Sequence, residues 1–389
     1  MRRNWVIVSV IVIITLGCGF YFVHSRYKEA SVPVATQTQI PGQTGQENTI
    51  TLVAAGDCLM HDSQILSGKQ KDSSYSFDTF FTEVRDLINE GDYSSTNFEA
   101  PMAGPSRGYK GYPMFNSPDA AAATFKEAGF DLVVTANNHI MDQGIQGALR
   151  TMRVLHNAGL DTVGTREKPG ESRWLIKDIN GIKVGYLAYS YSTNGIAIPK
   201  GYEYFYNYLN KAQIMEDIKT VRPQVDVLVL VLHWGVEYTP KPTAEQRALA
   251  RQVLEAGADT ILGSHPHVIQ TMEVLQVGGQ DKFVIYGMGN FISNQEGPER
   301  NSGIVLKLKY HKDASQGKTL LQEVSYSPTY SHHYQVGGET RFRVVPIEET
   351  IAKINNGQEA VFSTGDLPLL QAVLADTKSR LGPGFKAAR

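Results

Sequence analysis

Residues 225–232 of this 389-residue chain are apolar but for Asp226, carry valine at every second place and end directly on His233. A run of that length cannot cross a membrane as a helix, and its β-branching marks it as a strand buried on both faces, as in parallel sheets covered by helices. Other short apolar runs, at residues 50–55, 94–98, 132–135, 182–190, 260–262 and 283–286, alternate with amphipathic stretches at 77–90, 118–128, 145–158, 209–221 and 243–256. Strands alternating with helices predict an α/β fold with largely parallel pairing. Beyond Gly303 the pattern changes to strands at 304–310, 320–326 and 342–347, expected to be antiparallel and to form a second sheet packed on the first. From about residue 351 the chain reads as a helical extension.

The chemistry gathers at the strand ends. In α/β sheets, ligands bind beyond the carboxyl ends of the strands. Here Asp57, Glu99, Asn138, His139, His233, His265 and His267 each follow a predicted strand, and four of the chain's ten histidines are among them. Imidazole and oxygen donors in such a set suit zinc, manganese or iron. Taken singly, several have ordinary explanations. An aspartate after glycine commonly caps or turns the chain, and Asn137-Asn138 can build a turn. Glu99 can be a loop carboxylate ahead of Ala100-Pro101. His265-Pro266-His267 resists that treatment, because proline fixes the local backbone and two rings then project from one short loop. The common placement of all seven at one sheet edge decides for a site.

Other candidates read differently. His332-His333 lies in a tyrosine-rich polar stretch and is expected in a solvated loop, and His156 near an exposed helix end. His61, four residues after Asp57, is within reach of the site. The aromatic run Tyr202, Tyr204, Phe205, Tyr206 and Tyr208 is expected to be a packed surface loop, with a lid over the site as the alternative.

At the N-terminus, residues 5–23 are almost uninterruptedly apolar, with Arg2 and Arg3 before them and Arg26 and Lys28 after. A helix of that length just spans a hydrocarbon core of ~30 Å, which favours an uncleaved single-pass anchor with the bulk of the protein outside the cytoplasm. A cleaved signal peptide, with its shorter apolar core, and a lipid-modified Cys18 in Leu16-Gly17-Cys18-Gly19 are the alternatives. Residues 29–48, rich in Thr, Gln, Gly and Pro, read as a flexible tether. The two cysteines, Cys18 and Cys58, make no disulfide framework. Balanced charge, 37 Lys+Arg against 39 Asp+Glu, argues against nucleic acid as a partner.

In this order the chain carries Gly56-Asp57, Asn97-Phe98-Glu99, Asn137-Asn138-His139 with Asp142 and Gly144, His233-Trp234-Gly235 with Glu237, Gly263-Ser264-His265-Pro266-His267, and Gly289-Asn290-Phe291. Over residues 50–305 it resembles the bacterial poly-γ-glutamate capsule-synthesis proteins of the CapA/PgsA type, a family similar to the calcineurin-like metallophosphatases. The resemblance implies a metallophosphatase-like two-sheet sandwich flanked by helices, behind an N-terminal transmembrane helix, with a centre for two divalent metal ions. It implies Asp57 as the first ligand, Glu99 as the bridging carboxylate, Asn138 and His233 on the second metal, and one metal each for His265 and His267. His139 would be the acid beside them.

Two positions depart from the phosphatase pattern. Leu59 stands where a histidine is usual, and Glu99 replaces an aspartate. One metal is therefore short of a ligand unless His61 or Cys58 supplies it, and one of the two ions is expected to be weakly held. The organisation expected is an anchor at 1–28, a tether at 29–48, a CapA-type metallophosphatase-like domain at 49–350 and a C-terminal extension at 351–389. The resemblance implies work on an anionic polymer such as poly-γ-glutamate, beside membrane-bound synthase subunits. The chain is then either a metal-dependent hydrolase for a phosphoester or γ-glutamyl polymer, or a non-catalytic accessory subunit that binds polymer or synthase through the same cleft.

Overall fold

A computed structural model describes residues 48–313, 315 and 317–387. The predicted anchor at 1–28 and all of the tether but its last residue lie outside them. Among the described residues no helix is long and apolar enough to cross a membrane.

The chain begins with β1 (Asn48–Cys58), α1 (Asp62–Gly68), α2 (Arg85–Asn89), β2 (Tyr93–Phe98), α3 (Ala120–Ala128), β3 (Leu132–Val134), α4 (Gly144–Asn157) and β4 (Asp161–Val163). There follow β5 (Trp174–Ile179), β6 (Ile182–Ser190), α5 (Lys211–Val221), β7 (Val227–His233), α6 (Ala244–Ala256), β8 (Thr260–Ser264), β9 (Met272–Val277) and β10 (Gln280–Ile285). The last elements are β11 (Asn290–Ile292), β12 (Ser302–Asp313), β13 (Lys318–Val336), β14 (Glu339–Pro346), α7 (Ile347–Asn355), α8 (Leu367–Leu381) and β15 (Phe385–Lys386).

Two sheets result. One runs β14-β13-β12-β1-β2-β3-β4, with β11 also on β1 and β15 on β13. The other runs β5-β6-β7-β8-β10-β9. Strands β1 to β4 pair in parallel, as do β6, β7, β8 and β10. The late antiparallel strands do not form the second sheet, as the sequence had suggested. Strand β12 instead pairs with the edge of β1 that β2 leaves open, from Asn48↔Lys312 to Ala55↔Val305, and so extends the first sheet. The second sheet starts at β5.

The period of two in a strand explains the layering. Leu52 and Ala54 of β1 meet Val227, Val229 and Val231 of β7 in the core between the sheets. Val53 and Ala55 turn outward against Phe77, Phe81 and Phe125. Leu228, Leu230 and Leu232 turn outward against Ile214 and Ile218 of α5 and Val253 and Leu254 of α6. Strand β7 thus buries both faces, which is why its sequence shows no polar alternation. Helix α6 starts where Thr243 and Gln246 cap each other: the Thr243 hydroxyl accepts from the Gln246 N–H at 3.2 Å, and the Gln246 side chain accepts from the Thr243 N–H at 2.9 Å.

The helix expected at 77–90 is broken. Residues Asp78–Phe80 form a 3₁₀ turn, and only Arg85–Asn89 are α-helical. The apolar face is nonetheless buried, because each phenylalanine has a separate seat. Phe81 stacks on Phe291 at 5.3 Å, and Phe80 packs against Phe342 at 6.0 Å. Tertiary packing overrides local helical preference here. His332 and His333 lie within β13, not in a loop, and His332 stacks on Phe362 at 3.8 Å while accepting from the Arg343 guanidinium at 3.3 Å.

Residues 351–387 belong to the same compact unit as the sheets. The boundary expected at 350 falls inside α7, and Ile354, Leu370 and Val373 share a core with Tyr330 of β13 and Val345 of β14. Strand β15 pairs with β13, and Leu381 reaches the core between the sheets. Leu370 is completely buried there, so Leu370→Ala should lower the unfolding free energy by about 2–5 kcal/mol. Chemical denaturation followed by tryptophan fluorescence measures this, and a loss under about 0.5 kcal/mol, the range of a surface substitution, would show that the tail is not part of the cooperative unit.

Candidate metal centre

The parallel strands of both sheets deliver their carboxyl ends to one place. Asp57 lies near the end of β1, where pairing with β11 shifts register between Asp57 and Cys58. Gly56 permits this: a Cβ there would lie 2.1 Å from the Gly289 carbonyl oxygen, an approach no side chain allows. The Asp57 N–H donates to that same carbonyl at 2.9 Å. Glu99 follows β2 and is tied to β1 through its N–H, which donates to the Cys58 carbonyl at 2.9 Å. His233 ends β7, and His265 and His267 follow β8.

His265 and His267 have left-handed backbones, with φ of +92° and +58°. Such conformations cost of order 1–3 kcal/mol each at a non-glycine residue and persist only where the surroundings enforce them. The Asp57 carboxylate accepts from the His265 N–H at 3.0 Å, and the Asn290 amide oxygen holds His267 Nδ1 at 3.0 Å.

Asn290 decides the chemistry of His267. Its amide nitrogen donates to the Arg300 carbonyl at 2.7 Å, so its oxygen must be the atom that accepts from His267 Nδ1–H. Nε2 of His267 then carries a lone pair, and it faces Glu99 Oε1 at 3.6 Å. Glu99 is completely buried, and among the described residues no hydrogen-bond donor reaches Oε1. Two acceptors confront each other in a dry site, a costly arrangement unless something positive lies between them. Nδ1 of His265 is also buried and has no partner among the described residues.

Burial shifts the carboxylates and the three imidazoles of the cluster toward their uncharged forms. Burial, then the Glu99 charge, pushes the Asp57 carboxyl well above the usual carboxylate range, and burial raises Glu99 as well. Burial holds His233, His265 and His267 below the ordinary imidazole value, which disfavours charge on all three, so the approaches of His233 and His267 to Glu99 are not read as ion pairs. Ligand atoms of Glu99, His265 and His267 lie within 4.8 Å of one another, and so do those of Asp57, Glu99 and His233. Two groups of donors thus share Glu99. Neutral imidazoles and carboxylates without thiolate suit zinc, manganese or iron.

The surrounding polar groups aim these ligands. His233 Nδ1 bonds the Ser264 hydroxyl at 2.8 Å, while its Nε2 meets Asn138 Oδ1 at 2.8 Å. Partners on the far nitrogen of a ligating histidine fix its tautomer and its basicity. Asn97 Nδ2 donates to Asp57 at 2.8 Å and to Glu99 at 3.5 Å. Asn137 turns away, donating to the Phe98 carbonyl at 2.8 Å, so of the Asn137-Asn138 pair only Asn138 faces His233.

His139 belongs to neither donor group. Its Nδ1 bonds Asp142 at 2.8 Å, and its ring meets Phe115 edge-on at 4.8 Å. Burial alone would lower its pKa, but the Asp142 hydrogen bond and the Glu99 charge outweigh burial and raise it. His139 is thus shifted toward holding a proton, whereas burial shifts His233, His265 and His267 the other way.

All seven residues predicted for the site converge here. Neither Cys58 nor Leu59 adds a ligand. The Cys58 thiol bonds Thr96 Oγ1 at 3.3 Å, burial pushes it up to about 12, and both side chains point into the outer core. His61 caps α1 and packs edge-on against Phe115 at 5.5 Å, outside both donor groups. His156 pairs with Glu167 at a half-exposed position, far from this chemistry. The aromatic run packs as a loop: Phe205 and Tyr206 are buried with Ile140 and Met152. The Tyr206 hydroxyl contacts the carbonyls of Asn137 at 2.9 Å and Ser192 at 2.6 Å, bracing the turn that carries Asn138 and His139. Asn97, Asp142, Ser264 and Asn290 were not predicted as site residues. Asn97, Asp142 and Ser264 lie within the motifs that supply the predicted residues and Asn290 in the Gly289-Asn290-Phe291 motif, and that placement was their one sequence signal.

Fold and site define a two-sheet α/β protein with a buried carboxylate–imidazole centre of metal-binding type. The chain belongs to the family described as bacterial capsule synthesis protein PGA_cap, whose model matches residues 51–295. It is 29% identical over 273 residues to the capsule biosynthesis protein CapA of Bacillus anthracis, covering 67% of this chain and 64% of that protein's length. It is 26% identical over 320 residues to the PGA biosynthesis protein CapA of Bacillus subtilis (strain 168), covering 79% of this chain and 73% of that one. Among solved structures it is similar to the NAD nucleotidase of Haemophilus influenzae (11% identity, TM-score 0.47, 88% of this chain and 65% of that chain). It is also similar to a 5′-nucleotidase precursor of Thermus thermophilus (13% identity, TM-score 0.43, 85% and 58%). Superpositions that loose say nothing about the reaction.

If the cluster is a metal centre, replacing His265 and His267 together by Ala should abolish divalent metal uptake, measured by elemental analysis of the folded protein. Wild-type stoichiometry in that double variant would refute the assignment.

Proposed function

We propose that this chain is a membrane-anchored, extracytoplasmic protein of capsule or poly-γ-glutamate synthesis or export, and that its buried centre binds divalent metal for hydrolytic chemistry. The confrontation of Glu99 Oε1 with the His267 Nε2 lone pair carries the reading, because a cation between them satisfies both. Asp57, Glu99, Asn138, His233, His265 and His267 would hold two ions, with Glu99 shared. With Leu59 in the core and no substitute ligand from Cys58, one ion would be held less firmly. The family and the names of its relatives support a role in making an anionic surface polymer, with membrane-bound synthase subunits as partners.

Bound divalent ions would supply Lewis acidity that polarises the scissile group and stabilises developing negative charge. The protein's own contribution is then proton management and orientation. Asp142 holds His139 Nδ1 and raises its pKa, leaving Nε2 as the nitrogen that can hand a proton to the leaving group. Phe115 limits rotation of the ring. Low exposure around Asp57 and Glu99 keeps bulk water from screening the site. A phosphoester or a γ-glutamyl amide would both be served by that arrangement.

A second reading is a non-catalytic accessory subunit that binds polymer or synthase through the same cleft. The placement of Leu59 and Cys58 in the outer core favours it, since it leaves one donor group short of a ligand. The two readings part at His139. A general acid contributes typically 10²–10⁴-fold to rate. His139→Ala should therefore keep wild-type metal content and lose hydrolysis by about that factor, against a phosphoester panel and poly-γ-glutamate, together with polymer production in cells. A folded, metal-loaded variant with full polymer production would leave only the accessory reading. The proposed anchor is checked separately: the protein should stay with membranes after a high-salt wash and keep its encoded N-terminus. A mature form starting at Cys18 would mean lipoprotein processing, and one starting in the tether would mean secretion.

A further inference from the structure

The mouth of the centre is built from tyrosines. Tyr112, Tyr191 and Tyr238 are 69%, 44% and 39% exposed, high values for large rings, yet each packs against an imidazole of the site. Tyr112 lies 6.3 Å from His139, Tyr191 lies 4.5 Å from His265, and Tyr238 lies 6.0 Å from His267. These rings form an exposed aromatic edge against the imidazoles of the site.

One cation is fixed at this mouth. The Arg300 guanidinium lies 3.9 Å from the Tyr238 ring centroid, a cation–π contact that holds a long side chain at low entropic cost. Among the described residues it has no hydrogen bond and no ion pair within 4.0 Å, although it feels the Glu237 charge. The backbone of Arg300 is fixed as well. Its carbonyl accepts from Asn290, the residue that sets the His267 tautomer. Arg300 is thus tied to His267 twice, through Tyr238 by ring contact and through Asn290 by hydrogen bonds. A guanidinium so placed still has its planar fork of donors free.

We propose that Arg300 is the anion-holding, specificity-determining residue of this site, gripping an acidic group on the substrate next to the bond presented to the buried centre. The ligand is an oxyanion matched to a guanidinium fork, whether the carboxylate of a polymer of acidic residues or a phosphate. The Tyr238 platform keeps the fork in place before the substrate arrives. The identity of the neighbouring centre as a metal site is taken from the proposed function, but the charge, the platform and the free donors are properties of Arg300 itself.

The test uses the purified full chain, with metal content determined by elemental analysis and with glutarate and inorganic phosphate as separate titrants in calorimetry. Arg300→Gln should keep the metal content and fold of wild type while weakening the preferred anion roughly tenfold to hundredfold, the range for losing a charge-assisted hydrogen bond. Arg300→Lys, which keeps the charge but not the fork, should fall between. A preference for glutarate identifies a carboxylate ligand, and one for phosphate identifies a phosphoryl ligand. If the wild-type chain takes up no metal but still binds an anion through Arg300, the metal reading fails and this inference stands. If neither anion binds the wild-type chain, or if Arg300→Gln binds both as wild type does, the inference is overturned.

Discussion

Glu99 places one carboxylate oxygen, Oε1, in a buried spot where no donor among the described residues reaches it, facing a histidine nitrogen that can only accept. Such a group is tolerable when protonated or when a cation shares the space. Much of the architecture around it serves to keep that position occupied. Asn97 steadies both carboxylates from one side, Asn290 fixes the ring across from them, and the Asp57 carboxylate secures the loop in which His265 and His267 adopt strained backbones. Strain at a site so thoroughly cross-braced is a mark of function, because nothing in the local sequence would select it.

The sheets make that bracing possible. Parallel strands end on the same side, so β1 and β2 of one sheet and β7 and β8 of the other bring their terminal residues together without long loops. The backbone contact between Gly56 and Gly289 lets β11 close on β1 at the height of Asp57, and this brings Asn290 to His267. The apolar layers behind the site are indifferent to its chemistry, yet they set its dimensions. Moving β7 by one residue would exchange its inner valines for its outer leucines and carry His233 away from Glu99.

The division of labour among the histidines follows from environment alone. Burial lowers the pKa of His233, His265 and His267, whereas at His139 the Asp142 hydrogen bond and the nearby Glu99 charge outweigh burial and raise it. One residue type is therefore tuned in opposite directions within a single site. The tyrosine rim and Arg300 add what the buried donors lack, an exposed surface where an acidic substrate can be recognised before it is desolvated.

The sequence by itself determined the alternation of strands and helices, the two-faced burial of β7 and which seven strand-end residues would lie at one sheet edge, because strand period and strand ends are local features of the chain. It also exposed the family, through motifs at those same ends. Only the tertiary structure decided that β12 joins the first sheet, since any open strand edge can accept a partner and local sequence does not name which. It likewise decided that the phenylalanines of 77–90 take separate seats instead of forming one helix, and that the C-terminal helices belong to the main core. Motif membership flagged Asn97 and Asn290 but did not reveal what they do. An amide orients a ligand through one hydrogen bond at a distance near 3 Å, and the partners that make that bond, Asp57 with Asn97 and His267 with Asn290, meet only when separate strands are folded together.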